Sequence, residues 1–149
     1  MKKICENAMK AEFPSLSQNE ALARALASSF LMQLNPTVSE LADIKCAVSE
    51  AVTNCTVHAY RDTVGTVIMT MKSYSDRSVR IEIKDRGCGI EDISTAMQPL
   101  FTTDRQGERS GLGFTVMESF CDKIRVTSKP KKGTKVTLIK NLSKLYAST

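Results

Sequence analysis

The sequence predicts an α+β fold, a two-layer sandwich in which helices cover one face of a mixed, mostly antiparallel sheet. Three observations carry that expectation. Two helical runs follow one another between Ser17 and Tyr60. The clearest period-two alternation, Val79, Ile81 and Ile83 against Arg80, Glu82 and Lys84, comes after them. Two further strand-like stretches flank the turn Pro130-Lys131-Lys132-Gly133, so helices and strands are segregated.

Met9, Ala11 and Phe13 alternate with polar residues and mark a first strand. Ser17-Gln18-Asn19-Glu20 reads as a capping box, in which a hydroxyl and a carboxylate three residues on satisfy each other's free N–H groups. Along the helix it opens, Leu22, Leu26 and Phe30 form one apolar stripe, and Asn35-Pro36 stops it. A second helix is expected from Val38 or Ser39 to about Tyr60, burying Leu41, Ile44, Val48, Val52 and Cys55. Gly65 introduces an extended, β-branched stretch over residues 66–72, residues 73–78 read as a polar turn, and residues 79–84 are the alternating strand. Residues 91–107 are polar and irregular apart from Pro99-Leu100-Phe101, a length that points to a functional loop or lid. A helix from about Phe114 to Asp122 and strands over 123–128 and 134–140 complete the chain. The order is a strand, two helices, three strands around a glycine loop, a lid, a helix and two strands.

The 149 residues are 42% apolar and 25% charged, an ordinary globular balance that excludes disordered and fibrous classes. Residues 1–149 are read as one domain, long enough for a core without metal or disulfides. No apolar run approaches the ~18–20 residues that cross a bilayer, and the start, MKKICENAMKAEF, has no secretory apolar core. The expectation is a cytoplasmic protein with no membrane partner. Cys5, Cys46, Cys55, Cys88 and Cys121 form no CxxC pair, and the single His58 cannot complete a Cys/His zinc set, so they read as free thiols. The net charge is +5, but Lys129, Lys131, Lys132 and Lys135 have no interleaved aromatics for base stacking. Direct DNA binding is therefore not expected, and a solvated loop or an acidic protein partner fits that cluster better.

Three places carry candidate chemistry. Glu50, Asn54 and His58 are spaced i, i+4, i+8 as a polar stripe on the second helix. A carboxylate one turn from a carboxamide suits a proton acceptor beside an oxygen ligand for Mg2+; a solvated helix face has the same spacing. Asp85 closes the alternating strand, and Gly87 and Gly89 let the backbone turn and approach a flat ligand. Asp85 suits an exocyclic amine, as on an adenine edge, although a tight turn after a strand also explains this loop. Gly111-Leu112-Gly113 directly precedes a helix whose free N–H groups form an anion site, with Arg109 placed to reach a terminal phosphate. A plain glycine-containing helix entry with a surface arginine is the other reading. The sequence has no G-x-x-x-x-G-K-[ST], no H-R-D, no D-F-G and no G-x-G-x-x-G.

The order of these pieces is more specific than any one of them. Glu50-x-x-x-Asn54, Asp85-x-Gly87-x-Gly89, a lid, Gly111-x-Gly113 and Gly133-Thr134 together resemble the ATP site of the GHKL superfamily, with its Bergerat-type ATP-binding fold. Within it the chain resembles the serine-protein-kinase anti-sigma factors, most of all their sporulation, sigma-F class. Leu16-Ser17-Gln18-Asn19-Glu20, Ser49-Glu50-Ala51-Val52-Thr53-Asn54, Gln98-Pro99-Leu100-Phe101-Thr102-Thr103 and Glu108-Arg109-Ser110-Gly111-Leu112-Gly113-Phe114 carry that likeness.

The resemblance implies ATP and Mg2+ as cofactors and a role for each matched position. Glu50 would be the general base, Asn54 the Mg2+ ligand and Asp85 the adenine-reading carboxylate, with Thr134 supporting Asp85. Gly87 and Gly89 would line the base pocket. Arg109, Ser110, Gly111, Leu112 and Gly113 would hold the phosphates, Arg109 also neutralising charge in transfer, and Thr102, Thr103 and Arg105 would lie in the lid. Glu20 and Arg24 would belong to a partner-binding surface, unless they are ordinary solvated helix charges. Cys55 departs from the family's usual small apolar residue, and His58 is given no chemical role. The implied activity is phosphorylation of a serine on an anti-anti-sigma antagonist by a homodimer that also holds a sigma factor. A stress regulator of the sigma-B type and a nucleotide-gated binding module without kinase activity are the alternatives.

Overall fold

The computed structural model describes residues 2–60, 63–88 and 113–145. Strands β1 (Cys5–Pro14), β2 (Thr66–Tyr74), β3 (Ser78–Lys84), β4 (Lys123–Lys129) and β5 (Gly133–Asn141) form one sheet in the order β1-β2-β3-β5-β4. Every strand pairing among the described residues is antiparallel, which bears out the α+β sandwich and its mostly antiparallel sheet. Two strands, not three, lie between the second helix and the glycine loop.

The period-two pattern acts as the sequence suggests. Met69 pairs with Ile83, Met71 and Leu138 both pair with Ile81, and Val136 pairs with Ile83, which sets their side chains on one face. Helices α1 (Asn19–Met32), α2 (Val38–Thr53) and α3 (Gly113–Phe120) cover that face, and a π-helical segment, Asn54–Ala59, extends α2. The sheet residues are buried with Phe30 and Leu31 of α1, Ile44, Val48 and Val52 of α2 and Met117 of α3. Each such side chain contributes about 1.5–3 kcal/mol on burial. The opposite sheet face carries Lys72, Arg80, Glu82, Lys84 and Lys135.

The first helix differs from its expected form. Gln18 is its N-cap and makes no side-chain capping bond, so Ser17 and Glu20 form no capping box. The Glu20 carboxylate instead accepts from the Thr53 hydroxyl at 2.9 Å, a tertiary partner that outcompetes the local one. The reciprocal box belongs to α2, where Thr37 Oγ1 accepts from Glu40 N–H at 3.0 Å and Glu40 Oε1 from Thr37 N–H at 2.9 Å. The apolar stripe is also rotated. Ala23, Ala27, Phe30 and Leu31 are buried, whereas Leu22 is 43% exposed and Leu26 only partly buried. Alanines at the contact let α1 lie close against α2, and the bulkier Leu22 is turned outward.

The turn after β2 is shorter than residues 73–78. Ser73 and Ser78 are buried strand residues, because β2 keeps pairing with β1 as far as Tyr74. Asp76 closes the tighter turn, its Oδ1 accepting from Ser78 N–H at 2.9 Å and Ser78 Oγ at 2.6 Å. At the first residue of β5, Gly133 takes φ +106°, and a Cβ there would strike the Asp85 carbonyl oxygen and Arg86 Cα. Gly133→Ala is expected to cost about 3 kcal/mol, measured as a lower urea midpoint with an unchanged slope.

Candidate functional site

The site begins where α2 changes pitch. Tyr60 N–H donates to Cys55 O at 3.2 Å, five residues back. Thr56 Oγ1 donates to Thr53 O at 3.1 Å and Cys55 Sγ to Ala51 O at 3.6 Å, so side chains compete for the carbonyls of the last α-helical turn. A single π turn of this kind is frequent at functional sites. Glu50 and Asn54 stand on either side of the change, and the Asn54 N–H still bonds Glu50 O. The Asn54 side-chain nitrogen is buried with no hydrogen-bond partner among the described residues. An orphaned donor costs about 1–3 kcal/mol, which an incoming oxygen would offset, while Asn54 Oδ1 is of a type that suits a hard cation.

Asp85, just past β3, is only 4% exposed. Its Oδ1 accepts from Gly87 N–H at 2.9 Å and Thr134 N–H at 3.1 Å, and its Oδ2 from the Cys55 thiol at 3.5 Å. Burial pushes its pKa above the ordinary carboxylate value, opposed by the bonds from Gly87, Cys55 and Thr134. Thr134 thus supports Asp85 as expected, but through its backbone N–H; its hydroxyl pairs with Ser128 Oγ at 2.8 Å.

The loop after Asp85 is fastened from two sides. A Cβ on Gly87 would strike the Ala59 carbonyl oxygen, so this glycine is required by close packing on the π segment as well as by any ligand. Cys88 N–H donates to Ala59 O at 3.0 Å and its thiol to His58 O at 3.3 Å. Lys131 N–H reaches Cys88 O from the β4–β5 turn. Tyr60 Oη accepts from Arg86 N–H at 2.6 Å and donates to Thr66 O at 2.8 Å, and its pKa is raised, chiefly by burial.

Glu50 lines a cleft between the three helices together with Arg24, Lys45, Cys46, Ser49 and Phe120. Glu20 and Arg24 face α2. Arg24 Nη1 donates to Ser49 Oγ at 3.0 Å, and Glu20 Oε1 also meets Thr56 Oγ1 at 3.5 Å. They brace α1 against the helix that carries Glu50 rather than standing as solvated charges. Glu20→Ala is expected to cost about 1 kcal/mol, by leaving the buried Thr53 hydroxyl unpaired, and Glu20→Gln less than half of that; urea unfolding of both variants measures the difference. Gly113 is the first residue of α3. Gly89, the lid over 91–107 with Thr102, Thr103 and Arg105, and Arg109, Ser110, Gly111 and Leu112 lie outside the described residues.

Sequence reasoning missed Thr53, Tyr60 and the Cys55–Asp85 contact. The unusual thiol beside Asn54 was the available signal for the last; nothing in the spacing pointed to the others. The structure gathers Asn54, Cys55, Asp85, Gly87 and Thr134 around the end of α2, with Glu50 about one turn up the same helix.

A buried acid at the end of a strand, a carboxylate and a carboxamide on the covering helix, and an antiparallel sheet under three helices define a class. Residues 13–140 match the family described as Histidine kinase-like ATPase domain, and the chain carries that domain. Its fold is shared with a structure of the RsbU and RsbW domains of a Mycobacterium tuberculosis protein, at TM-score 0.70 and 22% identity over 94% of this chain and 34% of that one. The catalytic domain of histidine kinase ThkA superposes at TM-score 0.57 and 17% identity, covering 90% of this chain and 96% of that one. The Anti-sigma F factor of Caldanaerobacter subterraneus subsp. tengcongensis is 50% identical over 93% of this chain and 96% of its own length. That of Bacillus subtilis is 47% identical over 95% and 97%. The chain belongs to the anti-sigma F factor family. Among the described residues, no helix is long and apolar enough to cross a membrane.

Proposed function

We propose that the chain is an ATP-dependent serine protein kinase of the cytoplasm that holds a sporulation sigma factor and phosphorylates its anti-anti-sigma antagonist. The observation that carries this reading is the Asp85 carboxylate, buried, fixed by backbone N–H groups on one oxygen and touching Cys55, the chain neighbour of the orphaned Asn54 amide, with Glu50 one turn earlier on the same helix. Asp85 accepts the exocyclic amine of adenine through Oδ2, the oxygen that neither backbone N–H occupies. Asn54 Oδ1 would hold Mg2+, which would supply charge neutralisation during transfer.

Glu50 takes the proton of the attacking serine hydroxyl. In this reading Arg109 would steady the phosphate charge, Ser110, Gly111, Leu112 and Gly113 would contribute N–H groups to the phosphates, and Thr102, Thr103 and Arg105 would contribute to holding the nucleotide. Glu20 and Arg24, already coupled to α2, lie where a partner on α1 would sense the catalytic helix. In this reading the active form is a homodimer joined through β1 and α1, and unphosphorylated antagonist displaces the sigma factor by differential affinity.

The test is incubation of the chain with ATP, Mg2+, a sigma-F-type sigma factor and its antagonist, followed by phosphosite mapping. Phosphoserine on the antagonist and none on the sigma factor is expected. ATP-dependent sigma-factor binding without phosphate transfer would favour the nucleotide-gated module instead.

A further inference from the structure

Asp85 has one saturated oxygen and one that is not. Two backbone N–H groups fill the lone-pair directions of Oδ1, whereas among the described residues Oδ2 meets only the Cys55 sulfur, at 3.5 Å. Cys55 is 2% exposed, on the π segment, and its single S–H proton lies within reach of a second acceptor, Ala51 O at 3.6 Å. The thiol therefore has one donor and two acceptors at nearly equal distance.

We propose that Cys55 is a positioning residue for the base-reading carboxylate. Its thiol donates to Asp85 Oδ2 while the pocket is empty, holding that oxygen charged and oriented, and turns to Ala51 O when an exocyclic amine arrives. A thiol suits this exchange because it is a weak donor: strong enough to bias the carboxylate, weak enough to yield to an amine. A hydroxyl would hold either acceptor more firmly, and a methyl group would offer nothing.

The surroundings support the assignment. An ordinary thiol carries its proton at neutral pH, so the buried sulfur has a proton to donate to either acceptor. The groups facing Asp85 are Cys55 from the π segment, Tyr60 from its end and the N–H groups of Gly87 and Thr134. The Ser128–Thr134 hydroxyl pair beyond them is neutral. Among the described residues no cation forms an ion pair with Asp85, so the loss of one weak donor is not masked by a strong one. The nucleotide part of this inference rests on the proposed function; the thiol–carboxylate contact does not.

Two measurements test the inference separately. The first needs no nucleotide. The infrared S–H stretch of Cys55, isolated as wild type minus Cys55→Ala, is expected at lower frequency than a thiol without an acceptor, and to move up in Asp85→Asn. An unchanged band in Asp85→Asn overturns the contact whatever the protein binds. The second is ADP affinity against pH with Mg2+ present. Cys55→Ala is expected to shift the acid limb of binding upward, because Asp85 is harder to ionise without the donor, and to change ADP affinity by less than about threefold above that limb, where the carboxylate is charged in either variant. Cys55→Ser is expected to restore the acid limb. A Cys55→Ala variant that keeps the wild-type limb, or that loses stability alone, makes the residue packing and no more. Wild type that takes up no ADP at any pH removes the nucleotide reading, and the inference about its carboxylate with it, while the infrared band still decides the contact.

Discussion

Asp85→Asn is expected to lose at least about 100-fold in ADP affinity while remaining folded. Asparagine keeps an oxygen for the N–H groups of Gly87 and Thr134, now 2.9 and 3.1 Å from Oδ1, so the loop keeps its anchor. The second position becomes an NH2 group, which donates where Oδ2 accepted. An adenine amine would then meet a donor, and the charged hydrogen bond, worth about 1.5–3 kcal/mol, is lost together with its geometry. Calorimetry with ADP and Mg2+ measures this directly. Binding within about threefold of wild type would put the base elsewhere.

The same substitution has a stability signature whose sign follows from linkage. Burial raises the pKa of Asp85 in the folded chain, so the folded state binds this proton more tightly than the unfolded one. Between the unfolded pKa of about 4 and the higher folded value, stability falls as pH rises. Above that window the ionised carboxylate is a net burden that a neutral carboxamide does not carry. Asp85→Asn is expected to unfold at the same or higher urea concentration than wild type at a mildly alkaline pH of about 8, above the window that linkage defines. Its relative advantage should shrink through that window and be smallest once pH falls below about 4, where the aspartate is protonated in both states.

Glu50→Gln separates chemistry from binding. Glutamine keeps the shape and the helix but accepts no proton, so single-turnover phosphate transfer to the antagonist is expected to fall about 100- to 10,000-fold. ADP affinity should change by less than about threefold, since Asp85, the carboxylate proposed to read the base, lies past the π segment and is anchored by Gly87, Thr134 and Cys55. Transfer at the wild-type rate would remove Glu50 as the base. A parallel loss of ADP binding would make it a binding residue.

Local periodicity carried much of the fold. β3 follows its alternation, because Val79, Ile81 and Ile83 have no other face to present to a one-sided core. Ile44, Val48, Val52 and Cys55 are buried as their spacing requires, whereas Leu41 at the open end of the stripe is only partly buried. The site was legible where it depends on order along the chain: Asp85 ends a strand, and Glu50 and Asn54 share a helix one turn apart.

Tertiary packing decided the rest. Ser17 to Glu20 and Thr37 to Glu40 carry the same capping signal, and only the second uses it, because Thr53 takes the Glu20 carboxylate across 33 residues of chain. Which stripe of α1 turns inward depended on how closely α1 could approach α2, a matter of side-chain volume in both helices. The π turn arose from carbonyls shared with Thr56 and Cys55 side chains, and the need for Gly87 from a carbonyl on another element.

The amino-acid order by itself determined the elements, the buried faces of β3 and α2, and the polar groups from which the site is proposed. The folded molecule alone decided which atoms of those groups are already taken and which remain open. A side chain's partners are fixed by the geometry of neighbours distant in sequence, and spacing along one helix or strand has no access to it.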